Sequence, residues 1–252
     1  MLGMVEHDRV HHGKMIAVLK PVLGQLTSGT LGPMLSPDPT DPHDTRPITD
    51  LQRVIARRQV CYIGLDSLSD PIVGATIGSM LLADATSVAG SRYNFGEDLK
   101  PVNVLTDEAA ETINTPLIQL LNKGRGAVIR VTIATQTIAD FEARFASSAQ
   151  ARQVLGNCNQ MVVLRVLDTE TQQYVCETMP KVMIKRLQRS QGMSSGSSAS
   201  NPLAFSGTAS ESLVEEEAEL FPAALLGQLP NFEYLFVVGG TVLKGRIPFL
   251  RN

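Results

Sequence analysis

An α/β fold with a mostly parallel sheet is predicted by three observations. Apolar runs that read as buried strands (60–65, 102–106, 128–134 and 161–167) alternate with helical patterns. The strand–helix–strand order favours parallel pairing with a right-handed crossover. Gly74, Ala75, Gly78 and Ala83 recur on the longest apolar helix, the small-residue spacing of a helix packed closely on a sheet.

At 252 residues, 43% hydrophobic and 19% charged, the chain can bury a full core. The net charge of −3 neither requires nor excludes an anionic partner. Cys61, Cys158 and Cys176 have no ligand spacing and read as small core residues of a reducing compartment. Glu6, His7, Asp8 and Arg9 precede any apolar run, so no secretory leader is expected, and the apolar stretch 71–83 is too short to span a bilayer.

In chain order, residues 1–30 have helical spacing, with Pro21 a kink or break. His7 and His11 lie four apart but lack a third ligand, so a solvated helix start is the better reading. Pro33, Pro37, Pro39, Pro42 and Pro47 break up an acidic loop, and a short helix at 51–55 ends at Arg57-Arg58. The strand 60–65 leads through Asp66, Ser67 and Ser69, possible caps, into a helix at 71–89. After a surface loop and the strand 102–106 comes a helix opening at Thr115-Pro116, which Gly124 or Gly126 can close with a left-handed cap. The strand 128–134, a helix at 138–145 and the strand 161–167 follow. Residues 191–210, rich in serine and glycine, read as flexible, and the acidic run 211–219 as a helix start or solvated face. Leu225, Leu226 and Leu229 would pack a further helix, and Gly239-Gly240 signals a hairpin between 232–238 and 241–248.

The chemistry concentrates at strand ends. Residues 102–106 run into Asp107 and Glu108, two carboxylates placed where ligands collect in open α/β sheets. In a nucleotide-hydrolysing ATPase the first would hold Mg²⁺ and the second would polarise the attacking water, the Walker B arrangement. The alternative is a simple helix cap. The strand 128–134 ends in Thr135-Gln136-Thr137, and parallel pairing would put Gln136 on the same rim as the acids. The strand 161–167 would add a third polar end. Lys181, Lys185, Arg186 and Arg189 form the best local basic cluster for DNA, or else a solvated edge strand protected by its lysines.

The ordered blocks at 62–70, 107–111, 119–126, 132–137, 151–157 and 164–171 resemble the carboxyl-terminal half of the TraD/TraG type IV coupling proteins, the DNA-pumping ATPases of bacterial conjugation. The likeness is greatest to those of integrative conjugative elements. It runs from about residue 11 to the end. It implies a RecA-like P-loop NTPase fold of three layers, with residues 1–58 the end of an all-helical insertion domain. Residues 59–190 would be the Walker B half of the core, 191–211 a flexible segment, and 212–252 a helix and hairpin completing the core.

The resemblance further implies Asp107 for Mg²⁺, Glu108 for the hydrolytic water and Gln136 as γ-phosphate sensor. Arg125 would reach into a neighbouring subunit's nucleotide. It implies ATP and Mg²⁺ as cofactors, and single-stranded DNA with its relaxase and a type IV secretion channel as partners. A homohexamer at the inner face of the bacterial inner membrane, held by an upstream anchor, is implied as well. Gly-x-x-x-x-Gly-Lys-Ser/Thr is absent: Met15 follows Gly13-Lys14, and Asp8 stands where the leading glycine belongs. The expectation is a partial ATPase, lacking the P-loop strand and silent alone. The alternatives are a non-enzymatic docking module and a piece of an FtsK/HerA-type translocase.

Overall fold

The computed structural model describes residues 9–36, 38, 40–45, 49–198 and 201–248. His7, Pro37, Pro39 and Pro47 lie outside them, and only the backbone of His11 is described. The chain forms two compact units, Met1–Cys158 and Asn159–Asn252.

In the first unit, α1 (Arg9–Thr27) continues through Pro21, and a short α2 (Leu31–Leu35) accommodates Pro33. Asp50 caps α3 (Leu51–Ala56), accepting from the Arg53 N–H. The run 60–65 is not a strand. It is irregular, and Val60 and Tyr62 are 96% and 92% exposed. Strand propensity takes effect only where a partner ladder exists, and β1 (Val102–Thr106) pairs with β2 (Ile129–Ile133) alone among the described strands. Asp70 rather than Ser67 or Ser69 caps α4 (Pro71–Phe95), which runs on past Ala89.

Helix α4 is long and apolar enough to cross a membrane. Its Gly74, Gly78, Leu82, Ala85, Val88 and Ala89 are nevertheless buried, and a Cβ at Gly78 would strike Thr112. Asn114 caps α6 (Thr115–Lys123) and also donates to the Ser79 carbonyl, tying α6 to α4. Neither Gly124 nor Gly126 takes the left-handed role. The chain instead tightens into a 3₁₀ turn, Gly124–Ala127, and Val128 carries the positive φ of 56°.

The register of the parallel pair, Val102↔Ile129 to Thr106↔Ile133, gives β1–β2 one covered face and one bare face. Val102, Val104, Ile129, Val131 and Ile133 join the core around Phe141, Leu117, Leu120 and Val154. On the other face Asn103, Arg130 and Thr132 are exposed, and Leu105 is 76% exposed. A short helix α5 (Ala109–Thr112) follows β1, and α7 (Ile138–Phe145) and α8 (Ser148–Gly156) follow β2.

The second unit is built on antiparallel ladders. β3 (Gln160–Val163) pairs with β6 (Glu233–Val238), which pairs with β7 (Thr241–Arg246). The strand expected at 161–167 is thus shorter, ends at Val163 and belongs to a different sheet from β1–β2. Positive φ at Gly239 and Gly240, 55° and 77°, closes the expected hairpin. Helix α9 (Thr169–Glu177) and a 3₁₀ turn at Ala223–Gln228, in place of a full helix, pack Val175, Met179, Leu226 and Leu229 on Val163 and Leu235.

Residues 191–211 are not a loop where described. They continue β4 (Lys181–Ser198) and β5 (Asn201–Glu219), one antiparallel ribbon paired from Lys181↔Glu219 to Ser198↔Asn201. Serine and glycine offer little to bury, but a ladder needs only backbone donors and acceptors. The acidic run is accordingly a solvated strand and not a helix start.

Candidate functional site

Two backbone hydrogen bonds align the carboxyl ends of β1 and β2. The Ala134 N–H donates to the Thr106 carbonyl at 2.9 Å, and the Ala109 N–H donates to the Ala134 carbonyl at 2.8 Å. Asp107-Glu108 and Thr135-Gln136 therefore leave the sheet side by side, all four exposed. The rim is braced from behind. Ser79 donates its hydroxyl to the Thr112 carbonyl at 3.2 Å, and Thr86 to that of Pro116 at 3.0 Å. On the β2 side, Thr137 and Asp140 form a reciprocal capping box at the start of α7.

The acidic pair does not behave as a helix cap. Glu108 occupies the cap position of the four-residue α5 but makes no side-chain cap bond, and its backbone is left-handed, φ 46° and ψ 49°. Asp107 Oδ1 accepts the N–H of Glu108 itself at 3.0 Å, which fixes the aspartate and leaves its second oxygen facing solvent. A non-glycine residue held in this conformation costs about 1–3 kcal/mol, a cost that recurs at functional sites. The turn thus leaves two adjacent carboxylates exposed on the rim that also carries Gln136.

Mg²⁺ binds through one or two carboxylates, substrate phosphates and retained waters. Asp107 with its free oxygen fits one such ligand, and Glu108 and Gln136 fit groups acting on a water or phosphate beside it. Among the described residues no group of three or more His, Cys, Asp or Glu gathers to hold a metal unaided.

Arg125 is elsewhere. Its 3₁₀ turn precedes β2, so it sits at the amino end of the pair, one strand length of about 16 Å from the acid rim. Arg92 holds that turn, donating from Nε to the Ala127 carbonyl at 3.2 Å and from Nη2 to the Lys100 carbonyl at 2.7 Å. A Cβ at Gly126 would overlap the Tyr93 ring, so this glycine is required for close approach. Arg125 is exposed and has no ion pair among the described residues. The bracing role of Arg92 and Tyr93 escaped the sequence reading, which carries no signal for contacts between a helix end and a turn some thirty residues away.

The basic cluster is neutralised. Lys181 pairs with Glu217 at 3.4 Å, Lys185 with Glu215 at 3.3 Å, Arg186 with Glu216 at 3.4 Å and Arg189 with Glu211 at 2.7 Å. Its geometry is that of a charged ribbon and gives no unmatched basic track for phosphates. Separately, an open groove of about 580 Å³ follows α4 past Ile72, Thr76, Ser79 and Met80 to Glu111 and Arg144. None of Asp107, Glu108 or Gln136 lines it.

The fold has known counterparts. Bacterial conjugative coupling protein TrwBdeltaN70 in its unbound monoclinic form matches with a TM-score of 0.57 and 15% identity, over 73% of this chain and 40% of that one. Its trigonal form in complex with sulphate gives 0.53 and 14%, over 73% and 39%. Plasmid coupling protein TrwB in complex with ADP and Mg²⁺ gives 0.49 and 15%, over 71% and 36%. The chain thus spans about 40% of the length of the first coupling-protein structures it matches. A search of curated protein sequences returns no match.

The chain therefore has the α/β fold of conjugative coupling-protein structures. The family described as "TraM recognition site of TraD and TraG" matches residues 101–231, just over half of the chain. The chain belongs to the TraD/TraG coupling-protein family.

Proposed function

We propose that this chain is the Walker B half of a conjugative coupling protein's motor domain, which couples ATP hydrolysis to DNA transfer through a type IV secretion system. The observation that carries the reading is the alignment of Asp107, strained Glu108 and Gln136 on one braced rim. Asp107 would hold Mg²⁺, Glu108 would orient and deprotonate the attacking water, and Gln136 would meet the γ-phosphate when metal and nucleotide are bound. Arg125, too far to serve its own rim, serves the nucleotide of an adjacent copy in a homohexameric ring. Single-stranded DNA with its relaxase is the substrate, a TraM-like protein and the secretion channel are the partners, and an upstream anchor holds the assembly at the inner membrane.

By itself the chain is inactive in this reading, because no Gly-x-x-x-x-Gly-Lys-Ser/Thr cradle is present to bind phosphate. The bare face of β1–β2 agrees, since parallel sheets are normally covered on both faces. The test is reconstitution with a separately produced upstream half carrying the phosphate loop. The chain alone is expected to hydrolyse no ATP, and the reconstituted pair to show Mg²⁺-dependent turnover. Arg125→Ala should then reduce turnover by roughly 10³-fold or more. Turnover that survives Glu108→Gln, or hydrolysis by the isolated chain, overturns the assignment.

A second reading, a non-enzymatic docking module, is favoured by the family's description as a recognition site and by the exposed acidic strand β5. Capture of a relaxosome protein that is indifferent to Asp107→Ala would favour it over the motor.

A further inference from the structure

The β4–β5 ribbon is polarised across its width. Strand β4 carries Lys181, Lys185, Arg186 and Arg189, whereas β5 carries Glu211, Glu215, Glu216, Glu217 and Glu219. Register places Lys181, Met183, Lys185, Leu187 and Arg189 on one face, opposite Glu219, Glu217, Glu215, Leu213 and Glu211. The ribbon belongs to a two-stranded sheet, so each strand pairs on one side only and offers an unfilled ladder on the other. Leu187 and Leu213 face each other at the centre of this surface, 49% and 70% exposed.

We propose that this ribbon is a contact between copies of the chain, in which the basic β4 edge of one copy pairs with the acidic β5 edge of the next. Charge complementarity selects the occupant. A two-fold pairing of β4 with β4 would oppose lysines and arginines, and β5 with β5 would oppose glutamates, both unfavourable across a ladder. Placing β4 beside a neighbour's β5 continues the antiparallel order and gives each cation a glutamate on both sides. It also brings Leu187 against the neighbour's Leu213. Such a contact uses two different surfaces, so it propagates head to tail and closes into a ring or runs on as a filament. The proposal concerns the second unit alone and is independent of the motor assignment.

The test exploits the fact that the ribbon's own ion pairs and the contact between copies use the same charges. Consider the full chain carrying Lys185→Glu, Arg189→Glu, Glu211→Arg and Glu215→Lys. Every facing pair inside a copy stays opposite in sign, but the polarity is reversed at the two rungs Lys185↔Glu215 and Arg189↔Glu211, on either side of Leu187↔Leu213. Each version should self-associate alone, weakening several-fold in 1 M salt, where the Debye length falls to about 3 Å. Mixed, the two versions should segregate, because like edges now meet. Free co-assembly, or a wild-type chain that stays monomeric up to its solubility limit, overturns the proposal.

A second measurement guards against a variant that does not fold. Wild-type chain, half of it ¹⁵N-labelled, is treated with a zero-length carbodiimide that joins lysines to glutamates. Mixed-isotope cross-links from Lys181 or Lys185 to residues 211–219 are expected beside the single-isotope ones that the ribbon's own ion pairs give. Cross-links confined to single-isotope products, the signature of pairing within one copy, refute it.

Discussion

Glu108, which we propose acts on the attacking water, sits on a backbone that an ordinary residue avoids. Glycine would hold φ 46° without steric cost, although it surrenders more conformational freedom on folding. Glu108→Gly is therefore expected to raise stability by roughly 0.5–1 kcal/mol, read as a higher urea midpoint with an unchanged slope. Asp168 tests acid sensitivity. Its carboxylate accepts the Thr171 hydroxyl at 2.6 Å and the Thr171 N–H at 2.8 Å, and these bonds hold its pKa below the ordinary value of 3.8. A depressed folded pKa means that the stabilisation is present above 3.8 and is lost as pH falls through the folded value. Asp168→Asn keeps an acceptor for the cap but does not titrate, so the loss of stability below pH 3.8 should be shallower in urea melts across that window. The strand-end placement of Asp107, Glu108 and Gln136 was legible in the sequence because polar residues that end an apolar run are a local signal. The left-handed turn at Glu108 was not, since strain is imposed by the braced loop around it.

At the level of elements, legibility followed how local the determining physics is. The Gly239-Gly240 hairpin was readable because positive φ at both turn residues is a property of the dipeptide itself. Changing Gly240 to Val should cost about 1–2 kcal/mol, while Gly239→Asn should be nearly neutral, measured by chemical denaturation of the second unit. Residues 60–65 have strand composition but no ladder to join, and composition does not report a missing partner. Residues 191–211 failed in the opposite sense. Their side chains promise nothing to bury, yet the hydrogen-bond register begun by Lys181↔Glu219 carries them along. The left-handed residue expected at Gly124 or Gly126 fell on Val128 because Gly126 is committed to the Tyr93 ring.

For the molecule as a whole, the strand–helix alternation gave the α/β class, but not that parallel pairing stops at β1–β2 while every other described ladder is antiparallel. The chain instead carries two cores, one around Phe141 and one around Leu226, both side chains fully buried. Phe141→Ala should destabilise the first unit by roughly 3–5 kcal/mol and Leu226→Ala the second by about 2–5 kcal/mol. Amide exchange should quicken in β1–β2 for the former and in β6–β7 for the latter; uniform quickening for either would show that the cores melt as one.

The separation of Arg125 from the carboxylate rim has a genetic corollary. If each working centre draws its cation from one polypeptide and its acids from another, two defective alleles need not be defective together. Once each is reconstituted with the upstream half, chains bearing Arg125→Ala and chains bearing Glu108→Gln, each dead in a pure population, would regain a fraction of turnover when blended, because some junctions unite an intact donor with an intact acceptor.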